Sequence, residues 1–199
     1  MRPAPLFALC VACSTAPLAP SLRARDPILA PLAVDPAVQV ESGEVAYTVH
    51  GATPREARDE MNRRRPVGSS GPFDALTTWS VSWHYPHLQD HGSCRLGPPR
   101  VAVTITTTLP RWEEAGPNRD WQRYFAALRE HERGHAQNAR AAGQAVLETL
   151  RKVPPSRSCG ELDEAATRES KDTLRSFNAE DAAYDHRTRH GETQGAIFP

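Results

Sequence analysis

Residues 120–152 read DWQRYFAALREHERGHAQNARAAGQAVLETLRK, and their apolar spacing is that of one long helix. Trp121, Tyr124, Phe125, Leu128, Ala139, Ala142, Val146 and Leu150 mark a single face. His131 and His135 continue that stripe, so both are expected to point inward. Asn118 or Asp120 can cap the start, and Pro154-Pro155 end the helix. Two histidines four apart stand one turn above each other and can share one Zn²⁺. Glu132 sits beside the first of them, as the general base of a His-Glu-x-x-His hydrolytic site would. Gly134 costs about 1 kcal/mol relative to Ala inside a helix. Its missing side chain would let another backbone, a strand for instance, pass close to the metal.

Working outward, 199 residues suit one domain with a real core. The 24 basic and 24 acidic residues balance, which argues against a nucleic-acid partner. No stretch is long and apolar enough for a transmembrane helix. Residues 1–16 read as an export signal, with Arg2 before the apolar run Leu6–Ala12. Cys13 offers a lipid anchor as an alternative to simple cleavage. Residues 17–43, rich in Pro and Ala, read as a flexible linker, leaving 44–199 as the functional domain. Cys94 and Cys159 remain in that domain, and an exported chain is expected to pair them. Closing a loop of about 65 residues would stabilise the fold by roughly 4 kcal/mol.

Before the long helix, Glu44–His50 alternates like a strand. Thr53 and Pro54 then start a helix expected to run to about Arg65. Ala75–Tyr85 puts Trp79, Val81 and Trp83 on one face, and Val101–Leu109 is β-branched throughout. These two strands are expected to pair antiparallel, joined by a loop from His84 to Pro99. After the long helix comes Cys159, a helical stretch from about Glu161 to Phe177, and a Gly-punctuated tail from Tyr184 onward.

A catalytic zinc has three protein ligands, and the long helix supplies two. Ala141 stands where an extended motif would carry a third histidine. The candidates are His190, His186, Asp185, the His84/His87/His91 loop, Glu164 and Glu169. His190 is the choice from sequence chemistry, because the Gly-bounded turn Arg189-His190-Gly191 can present an imidazole. The three loop histidines are expected to be solvated.

YTVHGAT, Met61-Asn62, FDALTTWSVSW, VAVTITTTLPRW, HERGH, a cysteine after the helix, and YDHRTRHGETQGAIF together span about residues 44–198. In these segments the chain resembles a bacterial family of predicted secreted zinc-dependent proteases, a domain of unknown function. Arg65 departs from the pattern, where a Gly-Pro turn would be expected. The resemblance implies an exported protein with a His-Glu-x-x-His metal site. The combined expectation is an α+β, zincin-like domain with a small antiparallel sheet on the zinc helix. Its function would be peptide-bond hydrolysis by a zinc-activated water on a peptide or protein substrate, in the periplasm or outside the cell. Glu132 would be the base, Tyr184 the oxyanion stabiliser, and the edge of Val101–Leu109 the peptide-binding strand. The rivals are a non-catalytic metal-binding or structural envelope protein, and an inhibitor or interaction module using its strand edge.

Overall fold

The computed structural model describes residues 7–8, 35–69 and 71–198. In chain order the elements are β1 (Phe7–Ala8), β2 (Val38–Val49), α1 (Pro54–Arg64), β3 (Val67–Gly68), β4 (Gly71–Pro72) and β5 (Leu76–His84). Then come β6 (His87–Asp90), β7 (Ser93–Leu96), β8 (Arg100–Trp112), α2 (Arg119–Lys152) and α3 (Cys159–Thr188), with a 3-10 turn at Glu192–Gln194. The architecture is α+β: small sheets and three helices.

The main sheet runs β1-β5-β8-β2. β5 and β8 pair antiparallel, with Trp79 opposite Ile105 and Val81 opposite Val103. β2 pairs with β8 in parallel, from Val38 opposite Val101 to Val49 opposite Trp112. The sheet is therefore mixed, not antiparallel as expected. Alternation identifies a strand but carries no information on its direction. A parallel neighbour needs a long crossover, and α1 through β7 provide one. β2 also begins at Val38, so the last residues of the segment read as linker are strand. Residues 1–6, 9–16, Cys13 among them, and the linker up to 34 lie outside the described residues.

Local chemistry sets the helix boundaries. Thr53 and Glu56 form a reciprocal capping box at α1, with Pro54 in the first turn. The Asn118 side chain accepts from the Trp121 N–H to start α2. Helix α2 then lies on the sheet through Ala136, Ala139, Ala142 and Val146 against Val81, Val103 and Ile105. Gly143 permits this approach, since a Cβ there would run into a Val103 methyl. A second cluster, with Met61, Val49, Leu109, Trp112, Trp121, Tyr124 and Phe198, packs α1 and the C-terminal segment around the start of α2.

The expected loop from His84 to Pro99 is a hairpin, β6–β7. His91 and Gly92 at its tip have φ of 42° and 81°, the two left-handed residues of a tight I′ turn. His-Gly is an uncommon way to write that turn, which hid it in the sequence. Cys94 on β7 and Cys159 at the start of α3 form the expected disulfide. Cys94 and Ser156 also exchange two backbone hydrogen bonds, of 2.8 and 2.9 Å. Replacing both cysteines with alanine is expected to lower stability by about 2–5 kcal/mol in urea denaturation. Digests of the unreduced protein should contain the linked pair, and free thiols at both positions would contradict it.

Candidate metal centre

Helices α2 and α3 are joined by six residues and run antiparallel. Their cross-contacts move in opposite directions along the two chains. Asp185 meets His131, Asp181 meets His135, and the Phe177 carbonyl meets Asn138. That register places the two inward histidines of α2 against a polar stretch of α3.

Three ligand atoms converge there. His131 Nε2 and His135 Nε2 are 3.3 Å apart, and Asp185 Oδ1 is 3.1 Å from the first and 2.9 Å from the second. Tetrahedral ligands at about 2.0–2.1 Å from a zinc ion stand about 3.3 Å from one another. The three donors thus have the spacing a single ion requires, and they are of the right chemical types.

The other ring nitrogens are already engaged. His135 Nδ1 donates to Asp181 Oδ1 at 3.0 Å, and His131 Nδ1 donates to Gln194 Oε1 at 3.0 Å. An imidazole whose Nδ1–H is held this way, and which is otherwise neutral, turns the lone pair of Nε2 toward the metal position. Asp181 is itself fully occupied. Its Oδ2 accepts from the Trp79 indole at 2.6 Å and its Oδ1 from Asn138 at 2.7 Å.

Charge follows from the same contacts. Burial disfavours the cationic form of His135, but Asp181 and Asp185 outweigh it and raise its pKa to about 10. Burial works against the Asp185 carboxylate too, yet hydrogen bonds from His131 and His135 hold it well below the usual range. A proton between His135 and Asp185 thus balances the negative site, and a divalent cation on the same atoms would take over that role.

Glu132 lies beside this group and is only 4% exposed. Burial pushes its carboxyl group up from the ordinary value. Its Oε2 has no hydrogen-bond partner among the described residues. A buried carboxylate oxygen without a partner costs free energy unless something else is bound against it. Glu132, His131, His135, Asp181 and Asp185 all line one cleft of about 940 Å³.

The other expected site residues fall as follows. His190 also lines the cleft, but its side chain is 52% exposed and its Nδ1 lies 3.5 Å from Asp185 Oδ1, outside the group of three. It rests against the Phe73 ring. His186 is exposed on the rim of the cleft. Glu164 and Glu169 precede Asp185 by 21 and 16 residues on the same helix. At 1.5 Å per residue they are roughly 24 Å or more away, too far to contribute. His84 and His91 are exposed as expected, whereas His87 is bonded to Asp163 at 2.8 Å near the disulfide. The trio of His87, Cys94 and Cys159 is accounted for by the disulfide itself.

Tyr184 packs against His131. Its ring stacks on His131 with centroids 5.0 Å apart, and its hydroxyl donates to the His131 carbonyl at 3.3 Å. Gln194 Nε2 donates to the same hydroxyl at 3.1 Å. The phenol is therefore directed onto the α2 backbone. It also explains Gly134: a Cβ there would collide with the Tyr184 hydroxyl and ring. A side chain of α3, not a strand, uses the space.

Sequence reasoning missed Asp181, Gln194, Asn138 and the indole of Trp79. One signal was available: Asp181, Tyr184, Asp185 and Thr188 are spaced three and four apart, as one helical face requires. Gln194, carried by a turn, left no such pattern.

Gly134→Ala is expected to destabilise the protein by about 1–3 kcal/mol through overpacking, despite better helix propensity. In a Tyr184→Ala background the same change should stabilise by about 1 kcal/mol. Equal effects in both backgrounds, read by urea denaturation, would contradict the collision.

Residues 45–191 match a family described as "Bacterial protein of unknown function (DUF922)". No curated protein and no solved structure matches the chain.

Proposed function

Since the chain belongs to this bacterial family of unknown function, its activity must be argued from its own site, and we propose that it is a zinc-dependent peptidase. One observation carries the reading: three ligand atoms converge while both Nδ1–H groups are tied to partners of their own. His131, His135 and Asp185 would hold the ion. Asp185 replaces His190 as the third ligand in this proposal, because its oxygen lies nearest both imidazoles. A long helix with both histidines on its inner face, beside a sheet, supports a zincin-like reading of the fold.

Bound there, Zn²⁺ supplies Lewis acidity to a substrate carbonyl and to water. Glu132 takes the proton of the attacking water and passes it to the leaving amine. The burial that raises its pKa makes its carboxylate a stronger base. Asp181 and Gln194 keep the imidazoles oriented, and Tyr184 fixes the ring of His131 by stacking.

The peptide would lie along β5. β8 cannot serve as the edge expected from sequence, because it is flanked by β5 and β2. Among the described residues, β5 is paired on its outer side only at Ser82 and Trp83. Leu76 and Thr77 border the cleft at its start, leaving backbone groups there for an extended peptide. The disulfide supports an exported protein, since such bonds persist in oxidising compartments.

About one zinc per purified chain is expected. Asp185→Ala and His135→Ala should lose it, while His190→Ala should keep it. Glu132→Gln should keep zinc yet cleave a peptide library about 10²–10⁴-fold more slowly. Zinc retained by Asp185→Ala but lost from His190→Ala would reverse the ligand assignment. Full activity in Glu132→Gln would refute the base.

A further inference from the structure

At the end of the cleft formed by α1 and the start of β5, two arginines share one carboxylate. Arg58 bonds Asp74 Oδ2 at 2.7 Å and the Phe198 carbonyl at 3.3 Å. It also lies over the rings of Tyr124 and Phe198, so its guanidinium is held at both its edge and its face. Tyr124 donates to the same Oδ2 at 2.7 Å. Arg65 is placed differently. Its nearest acidic oxygen, Asp74 Oδ1, is 3.6 Å away, beyond hydrogen-bonding distance. Its Nε is buried without a partner among the described residues, while its side chain as a whole is 30% exposed and lines the cleft.

One carboxylate against two guanidiniums leaves one positive charge. The phenols of Tyr47 and Tyr124 do not offset it, because burial and the Asp74 charge both push their pKa values up. Farther along the cleft Arg189 offsets Glu192 in charge, while Glu132, Asp181 and Asp185 belong to the proposed metal site, where the ion and the histidines would meet their charge. A half-buried, under-bonded guanidinium beside the proposed substrate path is a receptor for a planar anion.

We infer that Arg65 forms a carboxylate-binding subsite, making the preferred substrates peptides with a carboxylate on one side of the scissile bond. This rests on the peptidase reading for the identity of the ligand, and the chain itself sets the distance. Tyr124, which bonds Asp74, precedes His131 by seven residues on α2, about 10 Å along the helix. The carboxylate would therefore sit a few residues from the bond cut. A free C-terminus and an acidic side chain both provide that group.

The test measures binding, not turnover. Zinc-loaded Glu132→Gln protein is titrated with three labelled peptides of otherwise identical sequence. One ends in a free carboxylate, one in an amide, and one in an amide with a glutamate near the end. Either charged peptide should bind about tenfold or more tightly than the neutral one, as a charge-assisted hydrogen bond allows. Which charged form is preferred identifies the source of the carboxylate. Arg65→Gln should erase the difference without changing zinc content, and Arg65→Lys should retain only part of it. Equal binding of all three peptides, or no binding, would overturn the subsite. So would a preference that survives Arg65→Gln, because the zinc ion would then be the group holding the carboxylate. The preference can hold even if the wild type cleaves nothing, and cleavage without the preference would remove the subsite alone.

Discussion

The carboxylate of Asp181 joins three elements at one point. It accepts from Trp79 on β5 and from Asn138 and His135 on α2, while it belongs to α3. Its side chain is only 20% exposed, so with fewer partners the charge would be poorly compensated for lost solvation. Fully bonded, it fixes the sheet, the histidine helix and the third helix in one register. The same bonds orient the His135 ring. Removing the side chain would leave the indole without its acceptor, take one of two acceptors from the Asn138 amide and free the imidazole to turn. Folding and the assembly of the site are in this sense one constraint.

That constraint explains where the sequence was legible. The long helix, both inward histidines and Glu132 could be read because apolar spacing continues on either side of them. Strands β5 and β8, with their antiparallel pairing, and the Cys94–Cys159 bond were legible too. The direction of β2 was not, since pairing partners distant in sequence leave no local mark. Helix α3 was cut short for a related reason. Its buried face is apolar at Leu162, Ala166 and Leu174, then turns polar at Asp181 and Asp185. An amphipathic pattern fades where a helix stops packing a core and starts supporting a polar centre. Asp185 stood among the candidate ligands, but only the α2–α3 register could favour it over His190.

The left-handed residues after α3 have a part in this arrangement. Arg189, His190 and Gly191 all have positive φ, turning the chain sharply at the end of the helix. The turn brings Gln194 to His131, and the following residues carry Phe198 into the aromatic cluster of Trp112, Trp121 and Tyr124. The disulfide lies at the opposite end of α3 and ties it to β7, beside the bonds of Tyr85 and His87 to Asp163. Anchored at both ends, α3 holds its carboxylates against α2 with little freedom to slide.

The central claim is that one ion sits among His131 Nε2, His135 Nε2 and Asp185 Oδ1. Anomalous diffraction from crystals of the zinc-loaded protein, recorded on both sides of the zinc edge, tests it most directly. The account predicts a single edge-dependent peak within bonding distance of those three atoms and beside Glu132. A peak bonded to His190 with Asp185 turned away, or none at the paired histidines, would contradict it.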